Sequence, residues 1–136
     1  MMIGFYAGSY LYCAPENIRH QRYGTAVDVY SLGVLTNELC TLETPYEEKY
    51  LLPSDAAVGA ADKQMRPQLP AKGSMHGGVI ALVEAMWRQD PDERPAASEV
   101  AHKLEHFVQQ VSQSEEQEKQ QPPLERLRTL FKSVGG

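Results

Sequence analysis

The residues able to do chemistry crowd into one short stretch near the start of the chain. GSYLYCAPEN, residues 8–17, sets a hydroxyl at Ser9, phenols at Tyr10 and Tyr12, a thiol at Cys13 and a carboxylate at Glu16. A thiol could ligate a metal or form a disulfide. The second cysteine, Cys40, shares no ligand-like spacing with Cys13, and neither has a nearby histidine. The expectation is therefore two lone buried thiols in a reducing compartment, without a disulfide framework or a zinc site. A second carboxylate, Asp28, opens the most apolar run of the chain. In the first turn of a helix it is favoured by the helix dipole, and if buried it must find donors. Thr25, three residues earlier, fits a capping box with it.

Those residues need elements to hold them. Residues 1–24 carry no clean period and read as irregular, with a short helix near 16–20. TAVDVYSLGVLTNELCTL, residues 25–42, is apolar nearly all round, which predicts a helix buried on most faces. TLETPYEEKYLLPSD is a loop punctuated by Pro45 and Pro53, and Ser54 is placed to cap a short helix over about 55–64. RPQLPAKGSMHGG is irregular again. A helix follows over about 78–88, with Ile80, Val83, Met86 and Trp87 on one face as packing residues. DPDERP breaks it, and a last helix spans about 97–111, with Val100, Leu104, Phe107 and Val111 at helical spacing. SQSEEQEKQQPP, residues 112–123, is polar and of low complexity, a linker or a frayed helix end. LERLRTLFKSV then puts Leu124, Leu127, Phe131 and Val134 on one face. No segment reads as a strand and no internal repeat is found, so the chain reads as mainly α.

Composition excludes several classes. The chain has 136 residues, the length of one domain, and its 42% hydrophobic and 23% charged residues are ordinary globular usage. A net charge of −5 argues against nucleic acid, which selects a basic stripe. No apolar run approaches the roughly 18 residues of a membrane span. The opening MMIGFYAGSYLYCAP lacks a basic start, and Gly4, Gly8 and Ser9 break its apolar run, so it is not read as a secretion signal. A cytoplasmic location is the default expectation.

Three motifs stand in order: GSYLYCAPE at 8–16, DVYSLGVL at 28–35 and DPDERP at 90–95. With ELCTLETPY and MWRQDPDERPAASEV around them, they resemble the C-terminal lobe of a eukaryotic protein kinase over roughly residues 4–110. The first is similar to the end of the activation segment, the second to the start of the buried central helix, the third to the arginine turn before the last helix. TAVDVYSLGVLTNEL, RPQLP and LVEAMWRQDPDERP look most like the tyrosine-kinase-like group, whose members mostly phosphorylate serine and threonine. The fold implied is the helical C-terminal half of the kinase large lobe. The parent fold is α+β, and its N-terminal lobe is absent here. Residues 1–111 would be the partial kinase domain, 112–123 a polar linker and 124–136 an amphipathic C-terminal helix.

The resemblance also implies roles. Glu16 and Arg94 match a pair that forms a salt bridge in the family, where arginine's planar fork can take both carboxylate oxygens; otherwise they are two unrelated surface charges. Asp28 matches the aspartate that binds backbone amides of the catalytic loop, a role beside its capping one. Leu35 and Leu39 match central-helix residues supporting the family's hydrophobic core, which plain core leucines would serve equally. Ser9 matches the residue that touches the catalytic aspartate and helps select a hydroxyl-bearing substrate, and Gly8, Ser9, Tyr10, Leu11 and Tyr12 would shape the pocket beside the phosphoacceptor. Glu38 could meet a basic substrate residue or be a solvated helix end. Tyr6 is a phosphorylation site of the segment or an ordinary exposed tyrosine.

Phosphoryl transfer needs a glycine-rich loop, a lysine–glutamate pair, a His-Arg-Asp loop and a Mg²⁺-binding Asp-Phe-Gly. None of these occurs in the sequence. No catalytic residue and no metal ligand is therefore assigned, and ATP and Mg belong to the full-length family, with no cofactor in this chain. The leading expectation is a truncated kinase opened at an internal methionine, inactive by itself, whose partners are a protein substrate or the missing kinase half. The missing neighbour of the central helix would leave a large apolar face open. The alternative is a non-catalytic kinase-like interaction module. In that case the C-terminal amphipathic segment meets a partner, unless it docks on its own lobe.

Overall fold

The computed structural model describes residues 7–21 and 24–120. Tyr6 and the expected amphipathic segment 124–136 lie outside the described residues. All regular structure among the described residues is helical, in agreement with a mainly α reading. The α-helices are α1 (Pro15–Ile18), α2 (Ala26–Thr41), α3 (Pro53–Asp62), α4 (Gly77–Met86) and α5 (Ala97–Gln120). Short 3-10 turns cover Ala7–Tyr12, Glu47–Lys49 and Pro91–Glu93. The described residues fall into two compact units, one ending at Val100 and one beginning at Ala101.

In the first unit α2 is the central element. Its start differs from the capping-box expectation. Thr25 has helical backbone angles and makes no side-chain capping bond, because a cap must leave the helical region for its oxygen to reach back. The hydroxyls of Ser31, Thr36 and Thr41 are instead satisfied by carbonyls one turn earlier, Val27, Leu32 and Asn37. The helix ends on Leu42, which takes the left-handed conformation at φ 59° that glycine usually fills.

One face of α2 is buried, carrying Val29, Tyr30, Gly33, Val34 and Asn37. Tyr30 and Val34 join Ala14, Val83 and Trp87 in the main cluster, with Tyr12, Val27 and Leu69 packed against it. The crossing with α4 is close because position 33 is glycine: a Cβ there would lie 2.9 Å from the Cβ of Met86. The opposite face departs from the expectation of burial on most sides. Leu32, Leu35, Leu39 and Leu42 recur at helical spacing on it and are all exposed.

α3 starts at Pro53 with Leu52 at its N-cap, which corrects the expected Ser54 cap; proline suits the first helical position, where no amide partner is needed. Its buried face is made of small residues, Ala56, Ala57, Gly59, Ala60 and Ala61, and it packs against the Ala7–Tyr12 turn and α1. α4 carries Leu82, Val83 and Met86 into the core, with Trp87 just after it; Val83, Met86 and Trp87 are as the helical spacing predicts, whereas Ile80, expected with them, is half-buried.

α5 begins at Ala97 and buries Val100 in the first unit. It continues to Gln120 rather than ending near 111, so residues 112–120 are helical. Its polar run is rich in Glu, Gln and Lys, good helix formers that need no core to stay helical once a helix is nucleated. In the second unit Leu104 and Phe107 are half-buried, and Val108 and Val111 are exposed.

Candidate functional site

The chemical stretch at residues 8–16 is held at three points. The first is Glu16. It sits in the first turn of α1, and Pro15 before it limits the backbone. Its carboxylate is 5% exposed and takes two parallel bonds from Arg94, Nη1 to Oε1 at 2.6 Å and Nη2 to Oε2 at 2.9 Å. The side chain of Arg94 is fully buried, and its remaining donors reach the carbonyls of Arg88, Ala26 and Gln89. The fork–fork geometry is the one in which guanidinium and carboxylate satisfy each other best. Burial alone would push the Glu16 carboxyl up. The bonds from Arg94, the local backbone amide and the charges of Arg94 and Arg66 outweigh it and hold the group below the usual carboxylate range.

The second point is Tyr12. Its ring packs against the main cluster, and its carbonyl accepts from Ser31 Oγ at 2.8 Å. Its phenol donates to Glu38 Oε2 at 2.7 Å. Burial, that hydrogen bond and the Glu38 charge push the phenol up to about 12. Glu38 is therefore neither a bare solvated helix end nor an idle carboxylate: it holds Tyr12. Sequence reading placed Tyr12 and Glu38 separately, and nothing in their spacing links a turn residue to one on α2. The third point is Leu11, which packs against the cluster of Tyr46, Ala56 and Ala60.

Just ahead of these anchors is Ser9, which is exposed, with Tyr10 half-buried beside it. The expected pocket set thus divides. Leu11 and Tyr12 secure the turn from inside, Tyr10 is half-buried like them, and Ser9 is exposed. Gly8 falls in the same 3-10 turn. Cys13 and Cys40 are free and half-buried, and burial raises both thiols. The expectation of fully buried thiols is corrected to that extent.

Three further expected residues are not brought into this arrangement. Asp28 is exposed, and its carboxylate accepts no hydrogen bond among the described residues. Its backbone amide bonds the Thr25 carbonyl, so the cap with Thr25 is a main-chain turn only. Leu35 and Leu39 are 43% and 68% exposed. They belong to the open face of α2 and contribute nothing to the core of this unit.

A second arginine was missed as a site residue. Arg66, from RPQLP, lies over the Tyr30 ring with its Cζ 5.1 Å from the centroid; Arg94 lies over the same ring at 5.0 Å. The sequence signal was the motif itself, which marked the kinase group without marking a contact.

Among the described residues no three His, Cys, Asp or Glu side chains gather as a metal ion would require. Of the carboxylates near the turn, Glu16 is engaged by Arg94 and Glu38 by Tyr12. Among the described residues these side chains do not fit a Mg-ATP site. No helix among them is long and apolar enough to cross a membrane.

Residues 4–106 match the family model described as protein kinase domain. The chain is 37% identical over 82% of its length to the serine/threonine-protein kinase STY46 of Arabidopsis thaliana, of which it covers 19%. It is 38% identical over 79% of its length to STY17 of the same plant, covering 18% of that protein. To the serine/threonine/tyrosine-protein kinase HT1, also from Arabidopsis thaliana, it is 35% identical over 78% of its length, covering 26%. The chain thus spans 18–26% of the length of these relatives.

Proposed function

This chain belongs to the protein kinase family, and from that premise we propose that it supplies the substrate-facing helical part of a serine/threonine kinase of the tyrosine-kinase-like group. The observation that carries this reading is the buried, two-bond ion pair of Glu16 and Arg94. It ties the Ala-Pro-Glu end of the turn to the arginine before α5, and so holds the segment Gly8–Tyr12 against the core with Ser9 outward. Ser9 and Tyr10 then face the protein substrate near its hydroxyl. Asp28 and the leucines Leu35 and Leu39 face the parts that bring ATP and Mg, in keeping with their exposure. By itself the 136-residue chain transfers no phosphate. Residues 1–111 carry the role, 112–123 serve as a polar linker, and the apolar positions of 124–136 are offered to a partner. The location is cytoplasmic.

Two assays test this. With Mg-ATP and a generic protein substrate, the chain alone gives no radiolabel above background and no ATP-dependent rise in melting temperature. Grafted in place of the matching segment of a relative such as STY46, residues 4–106 restore transfer, and phosphoamino-acid analysis finds label on serine and threonine. Transfer by the chain alone would refute the first part; a dead but folded chimera would refute the second. A dead chimera is the outcome expected of the second reading, a non-catalytic kinase-like interaction module, which the open leucine face of α2 favours.

A further inference from the structure

The Glu16–Arg94 pair does not stand alone. Arg66 reaches into the same region from the segment after α3. Its Nε donates to the Trp87 carbonyl at 2.8 Å, its Nη1 to the Met65 carbonyl at 2.7 Å, and its Nη2 to Gln89 Oε1 at 2.8 Å. Gln89 in turn donates to the Ala61 carbonyl at the end of α3 at 2.8 Å, and its own carbonyl accepts from Arg94 Nη2 at 3.3 Å. Tyr30 is fully buried and lies under both guanidinium groups. Two arginines thus share one ring and one glutamine, and one buried carboxylate, Glu16, faces them both.

We infer that Arg66 is a positioning residue for the Ser9–Glu16 segment, acting on Glu16 through Tyr30, Gln89 and Arg94. Arg94 is held from one side by Glu16 and from the other by the Gln89 carbonyl, and Arg66 bonds the side chain of that same glutamine. The stacking plane of Arg94 is set by Tyr30, a ring that Arg66 also covers. A guanidinium can do this where an ammonium cannot, because it stacks and donates along several directions at once. The arrangement also joins α3 to the turn it packs against, since Gln89 bonds the last turn of α3. The consequence for substrate rests on the reading of Ser9 and Tyr10 given above; the coupling of Arg66 to Glu16 does not.

Among the described residues the charged and titratable groups facing Glu16 are few. They are Arg94 from the turn before α5, Arg66 from the segment after α3, and Tyr30 from α2. Asp62 of α3 is engaged by Arg19, which follows α1. Arg66 adds to the charge that keeps Glu16 ionised. Its loss lets the folded-state carboxyl hold its proton to higher pH, and so shrinks the stability that acid removes.

The test uses the full 136-residue chain, with urea unfolding followed by the single tryptophan, the buried Trp87. Arg66→Gln is expected to lower the midpoint near pH 7, and to lessen the further fall as pH drops below the ordinary glutamate range, about pH 4, through the lowered folded value of Glu16. In a Glu16→Gln background the same change should leave the acid limb untouched. Arg66→Lys keeps a charge without the fork, and should restore the acid limb but not the midpoint. Parallel pH profiles for the native chain and Arg66→Gln, or strictly additive midpoints in the double variant, overturn the inference. If a variant unfolds without a cooperative transition, amide exchange decides. Arg66→Gln should speed exchange at Ile18, Arg19 and Gln21 by about tenfold while α4 is unchanged. Equal acceleration in both places, or no protection of those amides in the native chain, counts against it. Failure of the chimera to transfer phosphate would leave these results standing.

Discussion

At the scale of single residues, the phenol of Tyr12 and the carboxylate of Glu16 are opposite cases of one rule. Tyr12 gives its proton into a 2.7 Å bond with an ionised neighbour, so its neutral form is the favoured one. Its folded value, about 12, lies above the usual 10, and its contribution to stability is complete below about pH 10 and lost as pH rises toward 12. Absorbance titration of the native chain minus that of Tyr12→Phe should therefore show a phenol ionising near 12, and Glu38→Gln should bring it back toward 10. Glu16 is favoured in its charged form, and its contribution is complete above the ordinary glutamate value and lost as pH falls through its lowered folded one. Glu16→Gln leaves Arg94, with no exposed side-chain surface, without its counter-charge. The expected loss near neutral pH is about 3–5 kcal/mol, measured by urea unfolding. A loss below about 1 kcal/mol, the range of a surface pair, would mean that the two are not buried together.

At the scale of elements, the crossing of α2 and α4 depends on the missing side chain at position 33. Gly33→Ala would bring a methyl to 2.9 Å from the Met86 Cβ, which belongs to the stem of a buried side chain and has little room to retreat. Overpacking of this kind costs about 1–3 kcal/mol, against the roughly 1 kcal/mol that alanine gains over glycine in an open helix. The variant should unfold at lower urea, with its helical circular dichroism unchanged. The α2 helix also shows where periodicity misled. Its residues are apolar on nearly every side, which predicts burial on every side. One face packs on α4 and the Ala7–Tyr12 turn, while Leu32, Leu35, Leu39 and Leu42 meet no equivalent neighbour among the described residues.

At the scale of the whole molecule, that leucine stripe governs behaviour in solution. Apolar patches of this kind associate. Leu35→Gln with Leu39→Gln should lower the apparent mass in light scattering. It should change the melting temperature little, because both side chains are already largely in water. A large fall in melting temperature would show instead that the stripe is covered within the chain. The same openness agrees with the proposal that the chain works beside the parts of a kinase that hold ATP.

Composition and order of motifs were enough, from the sequence alone, to make the chain helical and to place it in its family. Helical spacing and the Ala-Pro-Glu, Ser-x-Gly and Asp-Glu-Arg-Pro patterns are local properties, written in neighbouring residues. The pairing of Glu16 with Arg94 could also be anticipated, because the motifs bring the two ends with them across 78 residues. The tertiary structure alone decided the rest. Tyr12 and Glu38, 26 residues apart, meet because the turn lies along α2. Arg66 and Arg94 share Tyr30 because α3 and the α5 turn close over one ring. The exposed leucines differ from the buried valines of the same helix only in which neighbours they have. Contacts of this kind depend on how elements cross, and a sequence period reports the spacing within one element, not what stands opposite it.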